Sequence, residues 1–245
     1  MQRFFIDNGD LKTGIVCELP MNICHQVLNV LRMKNGAQVL LLDGQGGEYA
    51  AELQIDGKKV SGKILGVERN PFEAEVEVIL FQSLLKSQEK FEWSAQKATE
   101  LGATAITPLI CDRCQVQALK KKERIEKIIR EAAEQCERGK LPNLNDEISF
   151  DDMIESLNSL NSSSPEVTTL FCYEGIRQKM SPLPSLGKKI NVIIGPEGGF
   201  SPKEIEKMEE FCQKNSNFHM IGLGRRILRS ETAAITALSQ ILPYF

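Results

Sequence analysis

The sequence predicts an α/β protein, in which a mostly parallel sheet with helices on both faces follows a small β-rich domain. After residue 73, short apolar runs rich in β-branched residues alternate with segments of helical periodicity, which indicates parallel strands joined by helices. Before that point, several short strand-like runs surround one helical segment, which is typical of a compact barrel. Asn70-Pro71 favours a boundary, because the residue before a proline avoids the helical region. We therefore expect domains at residues 1–72 and 73–245.

The first domain is predicted to contain four strands and one helix. The strands are expected at residues 11–18, 37–42, 48–55 and 59–67. Asp56-Gly57, between the last two, is a strong signal for a tight hairpin turn. The helix is expected over residues 21–32, and its inward-facing residues are Ile23, Val27, Val30 and Leu31.

The second domain is predicted to alternate strands with helices. Its strands are expected at residues 76–81, 103–110, 167–173, 189–194 and 218–221. The clearest helix covers residues 125–136, where apolar residues recur at helical spacing, and Gly139 and Pro142 are expected to end it. A helix over residues 91–101 is expected to end at Gly102. Residues 158–165 are rich in Ser and Asn and predict an exposed loop.

Two further helices are predicted directly after two Gly-rich loops, which we call the Gly195 loop (residues 195–201) and the Gly222 loop (residues 222–229). Ser201-Pro202-Lys203-Glu204 places Ser at the N-cap, Pro at N1 and Glu at N3, which is a capping box. Ser230-Glu231 opens the last helix, whose apolar stripe is Ala234, Ala237, Leu238, Ile241 and Leu242. Both loops follow short strands, and open α/β sheets bind ligands at the carboxyl ends of their strands.

The residue types in the two loops favour a small-molecule pocket. Glycine lets the backbone approach a ligand closely, and Pro196 fixes the turn. No Gly-Lys-Ser/Thr follows either loop, which excludes a P-loop, and the Gly222 loop lacks the third glycine of the dinucleotide fingerprint. It carries Arg225, Arg226 and Arg229 instead. From the residues alone, a pocket beside three arginines and a pair of ordinary connecting turns both remain open.

The two loops resemble a known family. Gly195-Pro196-Glu197-Gly198-Gly199-Phe200-Ser201 and the segment from Leu223 to Ala233 are similar to the signatures of the RsmE-type ribosomal RNA uridine-N3 methyltransferases. These belong to the SPOUT, or α/β-knot, enzymes that use S-adenosylmethionine. Lys97–Gly102, Arg113-Cys114 and Glu134–Arg138 also match the pattern. Arg225 departs from it, since proline is common there, and this affects the stiffness of the loop more than its chemistry.

The resemblance implies a fold, a cofactor and partners. It implies a PUA-like β-barrel that binds RNA, followed by a SPOUT-type domain with a trefoil-knotted sheet. S-adenosyl-L-methionine would be the methyl donor, with no metal. The substrate would be a uridine of 16S ribosomal RNA, within a small-subunit particle, methylated at N3. The protein would be a cytoplasmic homodimer with no membrane association; the small residues Ala233, Ala234 and Ala237 of the last helix would permit close packing between subunits.

The resemblance also implies site residues. Arg226 and Arg229 would stabilise negative charge that develops on the uracil oxygens, and Glu231 would orient an arginine or accept the N3 proton. We favour orientation, because a carboxylate beside arginines is a poor base; a first-turn acid favoured by the helix dipole is an equally good explanation. The donor-binding residues would be Tyr173, Glu174, Gly195, Pro196, Glu197, Gly198, Gly199, Ile221, Leu223, Gly224 and Leu228. The RNA-binding residues would be Arg3, Arg32, Arg113 and Arg138.

Composition excludes several other classes of protein. The net charge of −3 argues against a protein that is basic throughout, although local patches can bind RNA phosphates. Lys120-Lys121-Lys122 with Arg124 is better explained as a solvated face. There is no run of about 18 apolar residues, and seven cysteines without framework spacing indicate reduced thiols. Cys111-x-x-Cys114 has no second pair, so a zinc site is disfavoured, and two histidines give no support for a hydrolase.

Two functions of other kinds remain open at this point. A 2′-O-ribose or tRNA-base methyltransferase could share this fold, because donor loops do not specify the acceptor. A non-catalytic RNA-binding assembly factor is the other alternative. The presence of Arg226, Arg229 and Glu231 together argues against a degenerate enzyme.

Overall fold

A computed structural model describes residues 1–6, 11–161, 166–177 and 182–241. The chain forms two compact units, one made of residues 1–73 with 133–141 and the other of residues 74–132 with the chain from 142 onward. The predictions for Leu242 and for residues 162–165 lie outside the described residues. Within the described residues, no helix is both long and apolar enough to cross a bilayer.

The first unit contains a five-stranded sheet in the order β1-β3-β4-β5-β2. Its strands are β1 (Gln2–Phe5), β2 (Val16–Glu18), β3 (Gln38–Leu42), β4 (Gly47–Asp56) and β5 (Lys59–Arg69). The predicted hairpin is confirmed: Asp56 pairs with Lys59, and Gly57 takes the positive φ of 61° that the turn requires. The strand predicted over residues 11–18 is shorter than expected, and β1, which pairs in parallel with β3, was missed.

The helix predicted over residues 21–32 is helical only to residue 30 and is not regular. Helix α1 (Met21–His25) runs into a π-helical turn (Gln26–Val30). Arg32 then takes a positive φ of 50°, which ends the helix. Ile23 and Val27 are buried in one core to which all five strands contribute. Because every element shares this core, the unit has the construction of a small barrel.

The second unit contains a parallel sheet in the order β12-β10-β11-β6-β7-β8, with β9 also paired to β7. Its strands are β6 (Glu77–Ser83), β7 (Ala105–Ile110), β8 (Asn143–Leu144), β9 (Ile148–Ser149), β10 (Val167–Cys172), β11 (Lys189–Ile194) and β12 (Phe218–Ile221). Every residue of β10 is buried, so both faces of the sheet are covered there, as its continuous apolar run predicted. Strands β8 and β9 have two residues each, too few for a recognisable pattern.

Five helices alternate with the strands of the parallel sheet. One of them, α3 (Lys122–Gln135), has its last three residues in the first unit. The five are α2 (Gln88–Glu100), α3 (Lys122–Gln135), α4 (Phe150–Asn161), α5 (Pro202–Lys214) and α6 (Ser230–Ile241). The capping box of α5 is confirmed, and Gly102 follows α2 with a φ of 83°. The predicted end of α3 was too late, because Glu137 takes a left-handed conformation (φ 62°) before Gly139. Helix α4 was missed, and it occupies part of the predicted loop.

The strand order places the functional loops at one edge. Strand β10 lies between β11 and β12, and all three run in parallel, so the loops that follow them leave the sheet side by side. The trefoil knot that the family resemblance implies stays a prediction.

Candidate active site

Three loops surround one cavity at the carboxyl edge of the parallel sheet. The Gly195 loop follows β11, the Gly222 loop follows β12, and a third segment, which we call the Tyr173 loop (residues 173–177), follows β10. The cavity between them has a volume of about 700 Å³, within the range of small-molecule sites. It lies where open α/β sheets bind ligands.

Most of the residues predicted for the donor line this cavity. They are Tyr173, Glu174, Gly195, Pro196, Glu197, Gly198, Gly199, Leu223, Gly224 and Leu228. Ile221 does not line it: its side chain is buried in β12, and its carbonyl oxygen accepts a 3.0 Å hydrogen bond from the amide of Tyr173. Other residues line the cavity although they were not predicted for the donor; they are Lys90, Cys172, Ile176, Arg177, Ile194, Ile227, Ser230 and Ala233.

The Gly195 loop is a tight turn that only glycine can make at its tip. The amide of Gly199 donates to the carbonyl oxygen of Pro196 at 3.0 Å, and Gly199 has a φ of 68°. A Cβ at this position would collide with the carboxylate of Glu174. At the start of the loop, a Cβ at Gly195 would lie 2.7 Å from the ring of Phe200. The loop therefore presents bare backbone to the cavity.

A buried acidic network anchors the far end of the same loop. Glu204 caps α5 by accepting from the amide of Ser201 at 2.7 Å, and it also accepts from the amide of Asp112 at 2.9 Å. The next residue, Arg113, donates from its guanidinium to the carbonyl oxygen of Gly198 at 3.1 Å. Arg113 thus contacts the Gly195 loop directly, and its predicted contact with RNA stays a prediction.

Beneath the cavity, buried side chains join the strand ends to one another. The hydroxyl of Ser83 donates to the carbonyl oxygen of Ile194 at 2.7 Å. The amide of Gln82 donates to the hydroxyl of Ser230 at 2.9 Å. These bonds connect β6, β11 and the start of α6. Because the bonding groups are buried, each relies on the others for its hydrogen bonds, and the floor of the site is held in place by them.

The arginines of the Gly222 loop are exposed. Arg226 and Arg229 line the cavity, whereas Arg225 does not. Among the described residues, neither the Arg226 nor the Arg229 side chain has a hydrogen-bonding or ion-pair partner, so both guanidinium groups remain available for an anionic group.

Glu231 lies beside a lysine, and its predicted role in orienting an arginine stays a prediction. Its side chain is buried below the cavity wall and lies 3.7 Å from the ammonium of Lys90. The reason is its position in the first turn of α6, which points the carboxylate back toward α2. The partner of Glu231 within the described residues is therefore a lysine from another element.

The arginines predicted to bind RNA in the first unit differ in their availability. Arg32 is exposed. Arg3 is 10% exposed and forms ion pairs with Glu48 and Glu137. Arg138 is 8% exposed and donates from two nitrogens to Glu73, each at 3.2 Å. The guanidinium of Arg138 is therefore occupied by Glu73 within the first unit, and its predicted contact with RNA stays a prediction.

Cys172 lines the cavity, and two other cysteines of the second unit, Cys111 and Cys114, contact each other. Burial raises the pKa of Cys172 to about 12, so the thiol in the cavity wall stays protonated. Cys111 and Cys114 are buried and hydrogen-bonded to each other, and this contact with burial raises the pKa of Cys111. No group of three or more His, Cys, Asp or Glu side chains in the described part of the chain is arranged to hold a metal ion.

Comparison with known families identifies the class of protein that this fold and site define. Residues 72–242 match a family described as RNA methyltransferase domain, and residues 27–65 match one described as RNA methyltransferase PUA domain. The class is therefore that of RNA methyltransferases with an N-terminal PUA domain, as the resemblance of the two loops implied.

Similarity to individual proteins identifies the family within this class. Ribosomal RNA small subunit methyltransferase E of Bacillus subtilis is 33% identical, over 98% of this chain and 96% of its own length. The crystal structure of the Neisseria gonorrhoeae methyltransferase of the same name, bound to S-adenosyl methionine, superposes with a TM-score of 0.86 at 30% identity, covering 100% of this chain and 98% of that one. The structure of a Legionella pneumophila protein in complex with the same cofactor superposes with a TM-score of 0.83 at 33% identity, covering 99% of this chain and 96% of that one. The chain belongs to the ribosomal RNA small subunit methyltransferase E family.

Proposed function

We propose that this protein methylates N3 of a uridine in the RNA of the small ribosomal subunit, with S-adenosylmethionine as the methyl donor. The observation that carries the proposal is the cavity at the carboxyl edge of the sheet, where bare glycine backbone forms one wall and Arg226 and Arg229, which have no partner among the described residues, form another. The family to which the chain belongs and the cofactor bound in its structural relatives support the choice of donor and of substrate.

The residues of the cavity fit this donor. A volume of about 700 Å³ suits a ligand of nucleoside-plus-amino-acid size. The backbone of the Gly195 loop and of Gly224 can approach a flat base or ribose closely, because no side chain intervenes. Glu174 and Glu197 place negative charge in one part of the wall, where a sulfonium or an ammonium group could lie, whereas four lysine and arginine side chains line other parts of it.

The arginines would act on the acceptor nucleotide. When bound, the donor supplies a methyl group that its sulfonium already activates, so the protein has to bind, align and exclude water. Loss of the uridine N3 proton leaves negative charge shared with the two uracil carbonyl oxygens. Arg226 and Arg229 would stabilise this charge through guanidinium N–H groups, as an oxyanion hole does. Both side chains are exposed at the cavity mouth, where a nucleotide extruded from RNA would enter.

The partner, the cellular location and the oligomeric state form part of the same proposal. The substrate would be 16S ribosomal RNA within a small-subunit particle in the cytoplasm, and the enzyme would be a homodimer. Ala234 and Ala237, which suggested a close helix contact between subunits, are buried inside the subunit, so the dimer now depends on the family resemblance alone. A molar mass of one subunit by light scattering at micromolar concentration would contradict it.

The proposal is tested by mapping modified nucleosides in a strain that lacks the protein. Small-subunit RNA from the deletion strain should lose one 3-methyluridine, and the wild-type chain should restore it. The variant Arg226→Ala/Arg229→Ala should not. An unchanged nucleoside pattern would contradict the proposal, and loss of a 2′-O-methyl group or of a tRNA modification would assign the enzyme to a different reaction on the same fold.

A further inference from the structure

Lys90 joins acidic residues from two separate parts of the active site. It lies in the first turn of α2, after β6, and its side chain lines the cavity. Its ammonium nitrogen is 3.8 Å from a carboxylate oxygen of Glu197 in the Gly195 loop and 3.7 Å from one of Glu231 in α6. One cation therefore lies close to two carboxylates, one from the Gly195 loop and one from the start of α6.

Glu231 depends on this cation because its carboxylate is buried. The side chain is 11% exposed, and its second oxygen has no hydrogen-bond partner in the part of the chain that the structure describes. The N-terminal dipole of α6 favours a negative charge here, and a nearby counter-charge stabilises a buried carboxylate. Within the described residues, Lys90 is the group that supplies it.

Glu197 depends on the same segment of chain for its orientation. One carboxylate oxygen accepts a 3.2 Å hydrogen bond from the backbone amide of Lys86, and the other faces the ammonium of Lys90. Glu197 lines the cavity next to Gly198 and Gly199. The contacts with Lys86 and Lys90 therefore hold the Glu197 carboxylate in the cavity wall, and with it the Gly195 loop.

We propose that Lys90 is a positioning residue for methyl transfer, which joins Glu197 to Glu231 and so holds the Gly195 loop in the geometry that binds the methyl donor. This inference rests on the function proposed above. Lys90 is 35% exposed, and partly exposed ion pairs contribute little to global stability. Replacing Lys90 should therefore weaken donor binding more than it lowers the stability of the fold.

The test replaces Lys90 in the full-length protein and measures S-adenosylmethionine binding by calorimetry together with steady-state kinetics. Lys90→Met should weaken donor binding about ten-fold, equivalent to about 1.4 kcal/mol, and raise the KM for the donor by a similar factor. The value of kcat at saturating donor should stay within about three-fold. Lys214→Met is the matched control, since Lys214 is 3.5 Å from Glu210 in α5 and does not line the cavity; it should bind the donor as the wild type does.

Two outcomes would overturn the inference. One is wild-type donor affinity in Lys90→Met; the other is a loss confined to kcat, which would mean that Lys90 acts in the transition state and does not position the donor. If Lys90→Met fails to fold, Lys90→Met/Glu231→Gln removes the unpaired buried charge and should fold. Weak donor binding by that double variant supports the inference, and wild-type binding refutes it. Absence of donor binding by the wild-type protein itself would instead refute the proposed function, and the inference with it.

Discussion

The hydroxyl of Ser230 donates a 2.6 Å hydrogen bond to the carbonyl oxygen of Gly195, and this bond joins the two loops that define the family. Ser230 is the first residue of α6, after the Gly222 loop, and Gly195 is the first residue after β11. Because the Ser230 hydroxyl also accepts from Gln82, it has a fixed orientation. The bases of the two loops are therefore joined by a buried hydrogen-bonded side chain.

Ser230→Ala should destabilise the protein through this junction. The change leaves the carbonyl of Gly195 and the amide of Gln82 without their shared partner in a buried environment, which costs about 1–3 kcal/mol. Urea unfolding measures the loss. Ser239→Ala in the same helix is the control, because Ser239 is exposed and its hydroxyl donates to the carbonyl of Thr236 on the helix surface; equal stability of the two variants would show that the junction contributes nothing.

Gly199→Ala should weaken donor binding strongly. A methyl group there collides with Glu174, and the alanine must also adopt a positive φ, which costs about 1–2 kcal/mol. Gly36→Ala separates the two effects, since Gly36 has a φ of 81° but no atom lies within 4 Å of the position that a Cβ would take there. We expect calorimetry to give wild-type donor affinity for Gly36→Ala and a loss of about ten-fold or more for Gly199→Ala. Similar affinities would argue against a donor site at the Gly195 loop.

Arg226→Ala and Arg229→Ala should reduce turnover far more than donor affinity. Loss of one donor that stabilises transition-state charge typically lowers the rate by about 10²–10³. Replacement by Lys should restore little, because the ammonium keeps the charge but not the planar fork. Single-turnover rates at saturating RNA measure the effect, and Arg225→Ala, an exposed neighbour outside the cavity wall, should retain its rate. Loss of donor binding as the main defect would overturn the assignment.

Arg32→Ala should weaken RNA binding, whereas Arg138→Ala should lower the stability of the fold. Arg32 is exposed, so its loss should weaken RNA binding and reduce the salt dependence of binding by about one phosphate contact. Arg138 is buried against Glu73, so its loss leaves an unpaired carboxylate and should cost about 3–5 kcal/mol of stability. Filter binding at several salt concentrations and thermal unfolding distinguish them. Normal stability with weak RNA binding in Arg138→Ala would instead support its predicted contact with RNA.

The Gly-rich loops were predictable because local residue types determine them. Glycine at a positive φ, proline in a turn and the Ser201–Glu204 capping box act over a few residues, and the structure has these features at the expected positions. Continuous apolar runs likewise predicted β10 and β11, since strands buried on both faces tolerate few polar residues.

Contacts between distant residues were not predictable from the sequence. Lys90 looks like an ordinary first-turn lysine of an amphipathic helix, and its partners are more than 100 residues away along the chain. The burial of Arg138 depends in the same way on Glu73. Strands β8 and β9 are two residues long. They form by pairing with the edge of β7, and so short a segment has no local sequence pattern that would predict it.

The most direct test of the central claim is methylation by the purified protein. Small-subunit particles or 16S ribosomal RNA from a deletion strain would be incubated with the protein and S-adenosylmethionine labelled in its methyl group, and the RNA digested to nucleosides for mass spectrometry. We expect labelled 3-methyluridine at one site with the wild-type chain, and a rate of its formation lower by at least about 10² with Arg226→Ala or Arg229→Ala. Label in a ribose 2′-O-methyl group, or no label with a protein that binds the donor, would contradict this expectation.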